Sequence, residues 1–181
     1  AYVRRQRQMC IRDRIKEQER KVLENLFSYY IYDMTEYMKW SPNNEGKFSY
    51  DSSQFDVYWE REDHIPYFIY VDAELAGFVL VRRYPSDLSS YDIEQFFVLR
   101  KFKGQGVGKE ALAQVVSVFT GKWQIRVLLE NSAALYFWKS AVSRIVGDKF
   151  RVTKANDVDL LMFFIHFESN GYCCLLYTSP S

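Results

Sequence analysis

A chain of 181 residues, 48% hydrophobic and 26% charged, can bury the core of one domain. Its 14 Tyr, 14 Phe and 4 Trp argue against disorder, and its longest apolar run, residues 160–167, suits one buried strand rather than a membrane span. The net charge is +1, and Cys10, Cys173 and Cys174 form neither a CxxC pair nor a disulfide framework, so with two histidines we expect no metal site and a reducing, cytoplasmic setting.

Residues 4–14 read RRQRQMCIRDR, five arginines against one aspartate. Such an arm ordinarily points to nucleic acid or an anionic membrane. No secretory apolar core follows it. Back-translated, it fits one end of a transposase-type sequencing adapter, and CLLYTSPS at 174–181 fits the inverted other end. We therefore read 1–14 and 174–181 as adapter-like and 15–173 as one domain. Without the two ends the net charge falls from +1 to −3, which removes the case for a nucleic-acid or membrane partner.

Residues 15–40 have a helical pattern, with Val22, Leu23, Leu26, Phe27 and Tyr30 at three- and four-residue spacing. The stretch 41–46, SPNNEG, ends it. An aromatic segment follows, with Tyr50, Phe55, Val57 and Trp59. Residues 66–72 and 75–84 read as a β-hairpin, 85–90 as a loop and 91–99 as a further strand. On that strand Asp92, Glu94, Phe96 and Val98 alternate onto one face. A glycine-rich turn at 103–108 opens a helix to 119, and Gly121 closes it. Residues 123–130 are a strand, Asn131 caps a helix to about 142, and 149–153 and 157–167 are the last strands, with turn-like 147–148 and 155–157. The order implies a single α+β domain around a mixed, mainly antiparallel sheet. His64 is expected to be solvated in a polar loop and His166 to sit on an apolar strand, neither with an assigned role.

The sharpest feature is FFVLRKFKGQGVGKEAL, residues 96–112. Glycines between a strand and a helix uncover backbone amides where the helix dipole favours an anion. A Walker A loop would need Gly at Lys103 and Ser or Thr at Glu110, and Lys109 breaks a Rossmann fingerprint begun at Gly104 and Gly106.

The spacing Lys103-x-x-Gly106-x-Gly108 instead resembles the GNAT N-acetyltransferases, as do Val98-Leu99 before it and Asn131-x-x-Ala134 opening an aromatic helix. The resemblance covers about 15–167 and implies a three-layer fold whose first strand is missing here, so that the next strand would show an open edge. It implies acetyl-CoA as cosubstrate. The pyrophosphate would lie on the amides of Gly104, Gln105, Gly106, Val107, Gly108 and Lys109, with Lys103 as a nearby cation. The pantetheine arm would lie along Phe97, Val98 and Leu99, with Asn131 beside it. Glu94 is expected as the general base, with Asp92 on the same face as its rival; if both are close and partly buried, one pKa should rise.

The family often carries a proton-donating Tyr seven residues after the Asn; here that position is Trp138, whose indole cannot act as an acid. Tyr136 lies roughly 200° away round the helix. Trp138 is expected to pack on the cofactor. The implied activity is transfer of an acetyl group to a primary amine of a small molecule or peptide, with 30–59 and 85–90 as expected acceptor walls; a homodimer is admitted. The alternative is a non-catalytic CoA-binding module.

Overall fold

The computed structural model describes residues 8–11 and 13–171; the tail read as adapter, with Cys173, lies outside the described residues. Among these residues seven strands form one sheet: β1 (Met9–Ile11), β2 (His64–Val71), β3 (Glu74–Tyr84), β4 (Asp87–Val98), β5 (Gly121–Leu128), β6 (Phe150–Asp157) and β7 (Leu160–Ser169), in the order β1-β2-β3-β4-β5-β7-β6. Every neighbouring pair is antiparallel except β4–β5.

Among the described residues four α-helices cover the sheet: α1 (Arg20–Met38), α2 (Val57–Glu60), α3 (Val107–Val118) and α4 (Ser132–Val146). Alternation along β3 sends Phe78 and Leu80 to one core, with Leu23 and Phe27 of α1 and Tyr58 of α2. Val79 and Val81 go to the other, with Ala111 and Leu112 of α3 and Ala141 of α4. The sheet is therefore buried on both faces, which is why β3 is a nearly unbroken apolar run. No helix among the described residues is long and apolar enough to cross a membrane.

The structure corrects several expectations. The helix expected from 15 begins at Arg20, because Ile15 is buried in extended chain and donates its amide to the Pro66 carbonyl at 2.9 Å. The loop expected at 85–90 is a tight turn: Tyr84 already pairs with Asp87, whose carboxylate accepts from the Ser89 amide and the Ser89 and Ser90 hydroxyls. The last hairpin turns at 158–159, so 155–157 belong to β6, an exposed edge where polar residues cost little. His64 is buried rather than solvated, its ring against Tyr58 and its Nδ1 2.8 Å from Asp63.

The β2 edge is also partly covered where it was expected to be open. Met9–Ile11 pairs with 69–71, and the Gln114 side chain on α3 holds both Ile11 N and Met9 O. An edge of unpaired backbone groups accepts any extended apolar segment that reaches it, and MCI supplies one.

Candidate active site

The two central strands part company partway along. Parallel pairing of β4 with β5 runs only from Ser90↔Lys122 to Ile93↔Ile125, while β5 stays paired with β7 to Leu128. At the point of parting β4 carries a bulge: Leu80 faces Gln95 and Val81 faces Ile93, which leaves Glu94 as the extra residue. This overturns the expected common face. Asp92 and Glu94 stay on the α1–α2 side with Phe97, whereas Phe96 and Val98 turn to the α3–α4 side.

The peptide groups beyond the bulge divide the same way. Leu99 N donates to Ala76 O at 2.8 Å, and Phe97 O lies where a Cβ on Gly77 would be only 2.0 Å away. Phe97 and Leu99 therefore turn their backbone to β3, and antiparallel alternation leaves Phe96 and Val98 facing the gap toward β5. Of the three residues expected along this edge, Val98 alone presents its peptide there, and Phe96 is the one that was missed.

The gap opens into a cleft of about 730 Å³ between α1, the end of β4, the glycine turn and α4. At its floor stands the N-terminus of α3. The first intrahelical bond runs from Glu110 N to Gly106 O, so the amides of Val107, Gly108 and Lys109 precede it. Gly104 and Gly106 have φ of 74° and 80°, and a Cβ on either would meet nothing within 4 Å. The left-handed backbone is thus met by glycine, and the space above the amides stays open.

Lys103, Gly104, Gly106, Val107, Gly108, Lys109, Asn131 and Trp138 all line this cleft, as do the ends Phe97 and Val98; Leu99 and Gln105 do not. Gln105 instead donates to Lys101 O, and Lys109 donates to Ser140 Oγ at 2.7 Å. The Asn131 side chain accepts from Ala134 N at 2.9 Å, a helix cap on the cleft wall. Trp138 is 8% exposed and meets Phe96 edge-on at 5.0 Å, while Tyr136 is 78% exposed and turned away.

The carboxylates lie in a separate, buried ion-pair network. Asp92 is 0% exposed, with Arg126 Nη2 at 2.8 Å and Arg82 Nε at 3.0 Å. Burial pushes its carboxyl above the usual range, against the pull of both guanidiniums. Glu94 accepts from Arg82 Nη1 at 2.7 Å and from the Tyr58 hydroxyl. Burial, and next the Glu94 charge, hold the Tyr58 phenol well above its ordinary pKa. Arg126 also pairs with Asp157, to which Tyr84 donates. Neither Asp92 nor Glu94 lines the cleft.

Residues 30–59, expected as an acceptor wall, also supply the α1 side of this cleft. Tyr30, Asp33, Met34 and Tyr37 line the cleft from one helical stripe, a three-and-four spacing legible in the chain. Asp33 pairs with Arg100 at 2.8 Å and Lys103 at 3.3 Å across the mouth. Burial pushes the Tyr30 phenol up to about 12. Among the described residues no cluster of His, Cys, Asp and Glu is arranged to hold a metal ion.

The fold superimposes on those of solved acetyltransferases. One from Thermus thermophilus superimposes with a TM-score of 0.65 at 12% identity, over 88% of this chain and 96% of that one. An aminoglycoside acetyltransferase in complex with coenzyme A gives 0.66 at 14%, over 91% and 96%. A ribosomal alpha-N-protein acetyltransferase, also in complex with coenzyme A, gives 0.62 at 12%, over 91% and 96%. At these identities the likeness shows the fold. No curated protein matches the chain in sequence. The chain belongs to the acetyltransferase (GNAT) family, whose model matches residues 31–141.

Proposed function

We propose that this protein transfers an acetyl group from acetyl-CoA to a primary amine. The observation that carries the reading is the meeting of two unused backbone edges in one cleft: the Phe96 and Val98 peptides beyond the bulge, and the α3 amides above open glycines. This chemistry fits the coenzyme: the amides of 104–109 suit a pyrophosphate, and a strand edge suits the amides of a pantetheine arm. Lys103 would add positive charge, and Asn131 and Trp138 would flank the arm.

When bound, the coenzyme supplies an activated acetyl thioester: a C–N bond forms as the C–S bond breaks, the amine loses a proton and the sulfur leaves as a thiol. Glu94 is the residue we assign to take the amine proton, directly or through water. Its bonds to Arg82 and Tyr58 hold the carboxylate in place until then. Asp92 is fully buried whereas Glu94 is partly exposed, so we assign Asp92 a positioning role, fixing Arg82 and through it Glu94.

The test is thermal denaturation with and without CoA. Wild type should be stabilised, and Gly106→Trp, which places a bulky side chain at φ 80° over the amides, should not. Stabilisation that survives Gly106→Trp would remove the loop assignment.

A second reading, a CoA-binding module without turnover, is favoured by Trp138 in the donor position and by the engagement of both carboxylates in ion pairs. Thiol release from acetyl-CoA across a panel of amines separates the two. Tight CoA binding with no release would select the second.

A further inference from the structure

A second cavity, of about 480 Å³, lies beside the cleft under the C-terminal half of α1 and the segment that follows it. Tyr30 lines both spaces, and Gln95, on the wall of the second, directly precedes Phe96 on the wall of the first. We infer that this cavity holds the acceptor and that the acceptor is an arylalkylamine, a single aromatic ring on a short chain ending in a primary amine. The inference rests on the acetyltransferase reading and gives its substrate class.

The lining specifies the ring. Phe27, Trp40, Phe48 and Tyr50 supply four aromatic faces, and Phe27 and Tyr50 already meet edge-on at 4.8 Å. Aromatic pairs favour that geometry, and a ligand ring can extend it. Trp40 is 44% exposed, an open aromatic surface at the mouth. The volume suits one ring with a short chain.

Charge specifies the amine. Among the described residues, Asp51 is the only ionisable acid or base on the wall apart from the two phenols, and no Lys or Arg lines it. Hydrogen bonds from Ser53, the side chain first, hold the Asp51 carboxyl below its ordinary range, so it is ionised. Asp51 is exposed, so its attraction is modest and salt-screened, but its sign favours an entering ammonium over a carboxylate or phosphate.

Orientation follows from Gln95. The bulge turns its side chain to the α1 face, away from Phe96, and its Oε1 is buried with no donor in reach among the described residues. Buried polar atoms seldom go unpaired. An amine N–H at the inner end of the cavity, beside Tyr30, is the donor this amide can accept. The ring then lies outward against Trp40 and Phe48.

Titration calorimetry of the full chain with phenethylamine, with and without saturating CoA, tests this. Ethylamine and spermidine serve as ringless comparisons. Phenethylamine should bind at least about tenfold more tightly than either. Ser49→Trp, at an exposed position on the cavity wall, should weaken it at least about tenfold and leave stabilisation by CoA unchanged. Gln95→Leu should weaken it less.

Phenethylamine binding in neither state, equal binding of a ringless amine, or binding indifferent to Ser49→Trp would overturn the inference. Ring-selective binding lost in Ser49→Trp, in a protein that CoA fails to stabilise, would support the cavity and refute the coenzyme reading alone.

Discussion

Gly108 on α3 and Phe137 on α4 pack so closely that a Cβ on Gly108 would stand 2.9 Å from the ring Cζ. The absence of a side chain here lets the two helices close behind the cleft, since both residues line it. Gly108→Ala gains roughly 1 kcal/mol of helix propensity. Overpacking of the ring costs about 1–3 kcal/mol. The net expected in chemical denaturation is a loss of up to about 2 kcal/mol. Gly108→Ala with Phe137→Leu should recover most of it, and a gain in stability from Gly108→Ala alone would sink the argument.

Asp33 occupies two cations at the mouth of the cleft, Arg100 and Lys103, both well exposed. Exposed pairs of this kind contribute roughly 0–1 kcal/mol each, so they can be exchanged for a better anion. Asp33→Asn frees both cations for phosphate. CoA affinity by calorimetry should rise a few-fold, with a steeper loss of affinity as salt is raised. Weaker binding in Asp33→Asn would mean that Asp33 orders the mouth rather than competing for it.

The two carboxylates of the network should respond differently to loss of charge. Glu94→Gln removes the assigned base, and kcat for acetyl transfer should fall about 10²–10⁴-fold with little change in thermal stability. Asp92→Asn leaves Arg82 and Arg126 short of a buried partner. Breaking such a pair costs about 3–5 kcal/mol. Its main readout is therefore a lowered denaturation midpoint, with kcat falling only as Arg82 loosens its hold on Glu94. Equal stability losses in the two variants would show that they serve one structural role.

The parts legible in the sequence were those with local chemistry. The hairpin of β2 and β3 announces itself by two β-rich runs about a two-residue turn, and the α3 loop by glycines whose positive φ no other residue adopts freely. The bulge at Glu94 has no such mark. Neither glycine nor proline flags it, so strict alternation carried Phe96 and Val98 to the wrong face. The α1 wall of the cleft was half legible: Tyr30, Asp33 and Tyr37 fall on one stripe, but only the fold shows that the stripe faces the α3 loop. Residues 85–90 misled for a local reason. Proline, serines and aspartate spell a loop, yet Asp87 satisfies the following serines and lets the strand begin at once.

His166 gives the fold a pH dependence of its own. Its ring stacks on Phe164, its Nε2 lies 3.1 Å from Thr153 Oγ1, and Arg151 faces it across the β6–β7 pair. Burial first, and then the Arg151 charge, lower its pKa. The folded chain thus binds this proton more weakly than the unfolded chain, where histidine titrates near 6.5. Below about 6.5 the unfolded state takes up more protons, so stability falls as pH falls through this window; above it the contribution is constant. Melting temperatures at about pH 7.5, 6.5 and 5.5 should decline more in wild type than in His166→Asn. Arg151→Gln should shrink the difference by easing the repulsion. A His166→Asn chain that loses as much on acidification as wild type would place the dependence elsewhere.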